Sequence, residues 1–110
     1  MVKSSAARLD AVFHALADPT RRAILRDVSR GEKTVSDVAK PFTLTLAAVS
    51  KHLNVLEAAE LIARERRGSF QIVRLTPTSL QEAEEWLSYY RHFWSTRLDA
   101  LAQRLEGKQE

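Results

Sequence analysis

The chain has 110 residues, 45% of them hydrophobic and 28% charged, with three Gly, three Pro and no Cys. That is room for one small soluble domain. It excludes disulfides, thiolate metal sites, iron–sulfur clusters and cysteine nucleophiles, and so few Gly and Pro argue against a turn-rich all-β fold. No apolar run approaches the roughly 20 residues that span a bilayer, and Met1-Val2-Lys3-Ser4-Ser5 offers no stretch for a secretory signal, so a cytoplasmic, mostly helical domain is expected. The net charge of +3 divides unevenly: residues 1–76 hold 13 Lys/Arg against 8 Asp/Glu, residues 77–110 hold 4 against 6. A basic front with a mildly acidic tail suits a body that binds a polyanion and a C-terminus with another task; a solvated surface is the plainer alternative.

Apolar spacing predicts five helices and one hairpin. Ala7, Leu9, Val12, Phe13, Leu16 and Ala17 recur at helical intervals and predict a first helix over about 5–17. Asp18-Pro19 reads as an N-cap followed by proline at the first helical position, where its missing N–H costs nothing. The second helix then covers about 19–30, buries Ala23, Ile24, Leu25 and Val28, and stops before Gly31. Thr34 and Asp37 form a capping box with Asp in place of the usual Glu, opening a short third helix that Pro41 ends near Lys40.

Thr45 is a good N-cap for a fourth helix after the break Pro41-Phe42-Thr43-Leu44. Its apolar residues Val49, Leu53 and Leu56 make one stripe; the other side carries Ala47, Ala48, Ser50, Lys51 and Asn54, small or polar. Over Leu61–Thr76 the period changes: Ile62, Ile72 and Val73 are β-branched, and Arg67-Gly68-Ser69 marks a turn between two short strands. Thr78 and Gln81 make a further capping box that opens a long last helix over about 79–105.

Helix, short break, helix and then a basic two-stranded ribbon is the order of a winged helix-turn-helix: mostly α, about five helices plus a two-stranded wing, over residues 1–110. The helix-turn-helix is expected at about 34–59 and the wing at about 61–76. The major groove of B-DNA admits an α-helix whose first turns carry short side chains. Thr45, Leu46, Ala47, Ala48, Ser50, Lys51 and His52 meet that need: Thr45 and Ser50 can hydrogen-bond bases or phosphates, Lys51 can reach guanine or backbone oxygens, and Leu46, Ala47 and Ala48 can pack on thymine methyls. A small-residue face packing on another helix is the competing reading. In the wing, Arg64, Arg66 and Arg67 flank Gly68-Ser69. Arg66, Arg67 and Ser69 are the wing's candidate DNA contacts, since Arg offers a permanent charge and forked donors to phosphates or a narrow minor groove. The alternative is a charged edge that discourages aggregation.

Asp18-Pro19-Thr20-Arg21-Arg22-Ala23-Ile24-Leu25 resembles the second-helix signature of the ArsR-type winged-helix repressors. The run from Ala48 to Ile62 resembles that family's recognition helix and its exit into the wing. The likeness covers about residues 8–76, and the last helix is similar to the family's dimerisation helix. Glu60 departs from the pattern, standing where the family often has glycine. The resemblance implies a homodimeric repressor that sets two recognition helices in successive major grooves of an operator. Many members release DNA on binding a metal or oxidising a thiol, but Thr34–Lys40, where metal sensors carry paired cysteines, has none. His14, His52 and His92 are each alone in their helices, and His92 and Asp99 lack the second histidine of the usual zinc pattern. No metal or cofactor is therefore expected; His52 is assigned to the recognition helix, and His14 and His92 to interface or partly exposed positions.

Five of the eight aromatic residues fall in the last helix: Trp86, Tyr89, Tyr90, Phe93 and Trp94. Leu80, Leu87, Trp94 and Leu101 repeat every seven residues, with Leu98 and Leu105 on the same side. So much apolar surface predicts packing on the first helix and on a second copy across a two-fold axis. The expected interface is Leu9, Val12, Phe13, Leu16, Leu87, Tyr90, Trp94, Leu98, Leu101 and Leu105. An aromatic pocket for a small organic effector at this seam is the sharper reading; its identity is not legible. The sequence thus points to a regulator binding double-stranded DNA. A winged-helix protein-interaction module is the alternative, opposed by Arg64, Arg66 and Arg67. An enzyme is not expected, because no paired carboxylates or phosphate loop are present.

Overall fold

The computed structural model describes residues 5–107; residues 1–4, read above for a signal segment, lie outside them. The elements are α1 (Ser5–Leu16), α2 (Pro19–Ser29), β1 (Lys33–Thr34), α3 (Val35–Ala39), α4 (Leu46–Ala58), β2 (Ile62–Arg67), β3 (Phe70–Leu75) and α5 (Pro77–Gly107). The protein is a winged helix-turn-helix, mostly helical, with five helices among the described residues. The sheet has three strands in the order β1-β3-β2, antiparallel throughout, rather than the two expected. Lys33 pairs with Val73 and Thr34 with Ile72. Two residues carry no periodicity, so β1 has no signature of its own; it exists because β3 offers it an edge.

The caps fall where short polar side chains can take orphan helix N–H groups. Asp18 Oδ2 accepts from the Arg21 N–H at 3.0 Å, Thr34 Oγ1 from Asp37 at 3.1 Å and Thr45 Oγ1 from Ala48 at 3.1 Å. The two arginines after Asp18-Pro19 do further work. Arg21 donates from Nε to the Ala15 carbonyl at 2.7 Å and from Nη2 to that of His14 at 3.0 Å, and Arg22 donates to that of Leu16 at 2.8 Å. They satisfy the last carbonyls of α1, which a helix end otherwise leaves without partners. α5 opens at Pro77, not at the expected Thr78–Gln81 box. Proline at the first helical position starts the helix unaided, and Thr76 ties that start back to the body, its hydroxyl donating to the Glu60 carbonyl at 2.7 Å.

Glu60 ends α4 with φ 60°. Its N–H donates to the Glu57 carbonyl at 2.9 Å and that of Leu61 to the Leu56 carbonyl at 3.0 Å, the Schellman pattern that usually employs glycine at this position. A differently shaped helix end, which the departure at Glu60 would suggest, is not found: the chain forms the glycine-type stop with a residue ill suited to it.

The core gathers Ile24 and Val28 of α2, Val38 of α3, Val49, Leu53 and Leu56 of α4, Leu61, and Ile62 and Val73 of the sheet, all essentially inaccessible. Val12 of α1 belongs to it at 1% exposure. It has no surface left for a second chain, so its assignment to a dimer seam is corrected. Leu9, Phe13 and Leu16 are also partly buried against this core.

α5 leaves the body. Its first turns pack on α1 through a two-pronged Arg8–Glu82 pair at 2.8 and 3.0 Å and an edge-to-face contact of Phe13 on Trp86 at 5.6 Å. Every residue from Tyr89 to Gly107 is exposed. The radius of gyration is 18.8 Å, against about 13 Å for a compact chain of this length.

Candidate nucleic-acid interface

α4 presents Ala47, Lys51, Asn54 and Ala58 to solvent at steps of four, three and four, one stripe directly opposite its buried Val49, Leu53 and Leu56. Thr45 and Leu46, at the amino end, are exposed too, Leu46 at 61%. Ala48 and Ser50 are half-buried at the edges of this stripe. Of the seven sequence candidates on this helix, six lie on or beside its outer face. Asn54, on the same side but outside the candidate set, joins them through its spacing three after Lys51.

His52 is the exception. It is half-buried and turned toward α2, with Nδ1 at 3.4 Å from Arg21 Nη1 and 3.9 Å from Asp18 Oδ2. A residue one step past Lys51 is rotated by about 100° around the helix, which carries it off the outer stripe. In this position it links α4 to the start of α2. The hydrogen bond from the Arg21 backbone N–H holds the Asp18 carboxyl below the usual carboxylate range.

The wing divides its arginines between two faces. Ile62 points into the core, so Arg64 and Arg66 share its side, while Glu65 and Arg67 take the other. Arg64 reaches α4, donating to Glu57 Oε1 at 2.9 Å and to the Asn54 amide oxygen. Arg66 lies one step further out on the same face; its Nε donates to the Gly68 carbonyl at 3.4 Å, and among the described residues it forms no ion pair. Arg67 is held from two sides: Glu32 receives it at 2.7 and 3.2 Å and Glu65 at 3.1 and 3.2 Å. Those hydrogen bonds, from Glu32 first, raise the Arg67 pKa above its ordinary value and depress those of Glu32 and Glu65. The tip is Gly68-Ser69, where Gly68 takes φ 58°, the positive value that two-residue hairpin turns require. Ser69 and Phe70 are exposed there. His14 and His92 are exposed on α1 and α5, and no group of three or more His, Asp or Glu among the described residues is placed to hold a metal ion.

A helix with a small, polar outer stripe beside a basic hairpin is a DNA reader's layout. Residues 16–65 match the model of a helix-turn-helix domain family. The chain is 41% identical over 76 residues to the transcriptional repressor SdpR of Bacillus subtilis, a match spanning 69% of this chain and 84% of that protein. It is 33% identical to the HTH-type transcriptional regulator Rv2034 of Mycobacterium tuberculosis over 90% of each. The chain belongs to the ArsR-type family of winged helix-turn-helix repressors. A solved ArsR family transcriptional regulator superposes with TM-score 0.75 at 36% identity, covering 86% of this chain and 97% of its own. The chain is thus a DNA-binding transcriptional regulator, and no helix among its described residues is long and apolar enough to cross a membrane.

Proposed function

We propose that this ArsR-type regulator is a homodimeric repressor of an inverted-repeat operator, residues 1–110 acting as one winged unit and its control requiring no metal. The observation that carries the reading is the bare stripe of Leu87, Tyr90, Trp94, Leu98, Leu101 and Leu105 on α5, each 44–61% exposed. A second copy of α5 covers such a stripe with its equal across a two-fold axis. The same symmetry sets two α4 helices about 34 Å apart, one turn of DNA. Thr45, Leu46, Ala47, Ala48, Ser50, Lys51 and Asn54 would face bases and phosphates from the major groove, with Arg66 and Ser69 beyond it. The absence of cysteine and the placing of the three histidines on separate helices favour metal-free control.

Sedimentation equilibrium tests the assembly: a dimer is expected at micromolar concentration, and a monomer that still binds a palindromic operator tightly overturns it. In the same titration, zinc, copper or nickel with and without a chelator should leave affinity unchanged; a metal-dependent shift overturns metal-free control.

A further inference from the structure

We propose that Arg67 is a positioning residue of the wing and not a DNA contact. With Glu32 and Glu65 it forms a latch that fixes the hairpin so that Arg66, on the opposite face, meets the duplex beside α4. The inference rests on the DNA-binding reading and assigns separate roles to two neighbouring arginines that sequence alone makes equivalent.

Three observations carry it. First, the contact is long-range: Glu32 precedes β1 and Arg67 ends β2, so their bidentate pair, 35 residues apart in sequence, spans the sheet from one edge strand across β3 to the other. Second, four of the five N–H donors of Arg67 are engaged. Glu32 and Glu65 engage it with four hydrogen bonds, and Arg74 approaches Glu65 at 3.8 Å, so two cations and two carboxylates make a neutral cluster. For Arg67 to take a phosphate with its paired donors it must give up carboxylate bonds, and the carboxylates so released would face the polyanion unpaired. Third, pleating puts Arg66 on the side from which Arg64 touches Asn54 and Glu57 of α4, the side that continues the recognition surface. The cluster is about half exposed, so it sets a direction for the wing and adds little to global stability.

The test uses the full chain, a fluorescent mixed-sequence duplex titrated at several salt concentrations, and hydrogen exchange of the hairpin amides, residues 65–72. Arg66→Ala should lower the log–log salt slope by about 0.9, one lost phosphate. Arg67→Ala should weaken binding with the slope retained. Arg67→Ala and Glu32→Gln should each speed hairpin exchange by up to about fivefold, the reach of an exposed ion pair, and the double variant should exchange no faster than either. A slope lowered by Arg67→Ala as by Arg66→Ala overturns the proposal. So does hairpin exchange unmoved by Glu32→Gln, or duplex affinity that Glu32→Gln raises while exchange stays slow, since Glu32 would then merely compete with phosphate. Failure of the DNA-binding reading looks different: the unaltered chain would not bind the duplex, and hydrogen exchange would still decide the latch.

Discussion

α4 and α5 are both amphipathic, yet they meet water in opposite ways. In α4 the large apolar residues Val49, Leu53 and Leu56 are wholly buried, and apart from Leu46 at the amino end what remains outside is small or polar. Along α5 Leu87, Trp94, Leu98, Leu101 and Leu105 stand 47–61% exposed. Methyls, hydroxyls and amines at low density leave room for a hydrated polyanion to approach. A row of Leu and Trp gains most from a dry, well-packed protein surface. The difference teaches that the kind of partner is encoded by what each helix leaves outside, not by its periodicity.

The sharpest way to break this contrast is to charge the α5 stripe. Leu98→Glu should separate the proposed dimer and reduce affinity for a palindromic operator by roughly 10²–10⁴-fold, the advantage of linked half-sites, while the body's thermal transition persists. Sedimentation and operator titration on one sample check both; an intact dimer with unchanged affinity removes α5 from the assembly. Leu53→Ala should cost about 3 kcal/mol in urea unfolding, whereas Leu98→Ala in protein diluted to monomer should leave the midpoint where it was. Equal losses would mean that the two stripes are equally buried.

Lys51→Ala sharpens the other side. It should weaken operator binding by about 1–3 kcal/mol if its amine meets a base, and weaken binding to random duplex less; equal losses would make Lys51 a phosphate anchor. The smallest effect is expected at the end of α4. Glu60→Gly relieves a left-handed residue, about 1–2 kcal/mol, but frees the unfolded chain by about 0.4–1 kcal/mol, so a net gain of roughly 0.5–1 kcal/mol should appear in the unfolding midpoint. A loss instead would show that the Glu60 side chain has a compensating role.

Local chemistry was legible and distant pairing was not. Asp18-Pro19, Thr34 and Thr45 announce three helix starts because a cap needs only a short polar side chain and the next three residues. The α4 stripe is visible because Val49, Leu53 and Leu56 obey the helical period. β1 is too short to have a pattern, and α5 starts at Pro77 because a proline at the first turn outcompetes a capping box one residue on. The neighbours of His52 and Arg67 are the part no local pattern announces: Asp18 and Arg21 for the one and Glu32 for the other are brought near only by the packed tertiary structure. Val12 was placed in the seam because a spacing that marks a buried face cannot say which chain buries it.

Both tryptophans of the chain lie on α5, Trp86 against Phe13 at its root and Trp94 in the bare stripe. The winged body contains no indole, so its intrinsic emission is silent about unfolding except through the root of that one helix. Trp94 should emit at long wavelength in dilute protein and shift to the blue as concentration rises and the second copy dries its ring. Trp94 would therefore be a built-in optical gauge of the proposed self-association, independent of DNA and of any added label.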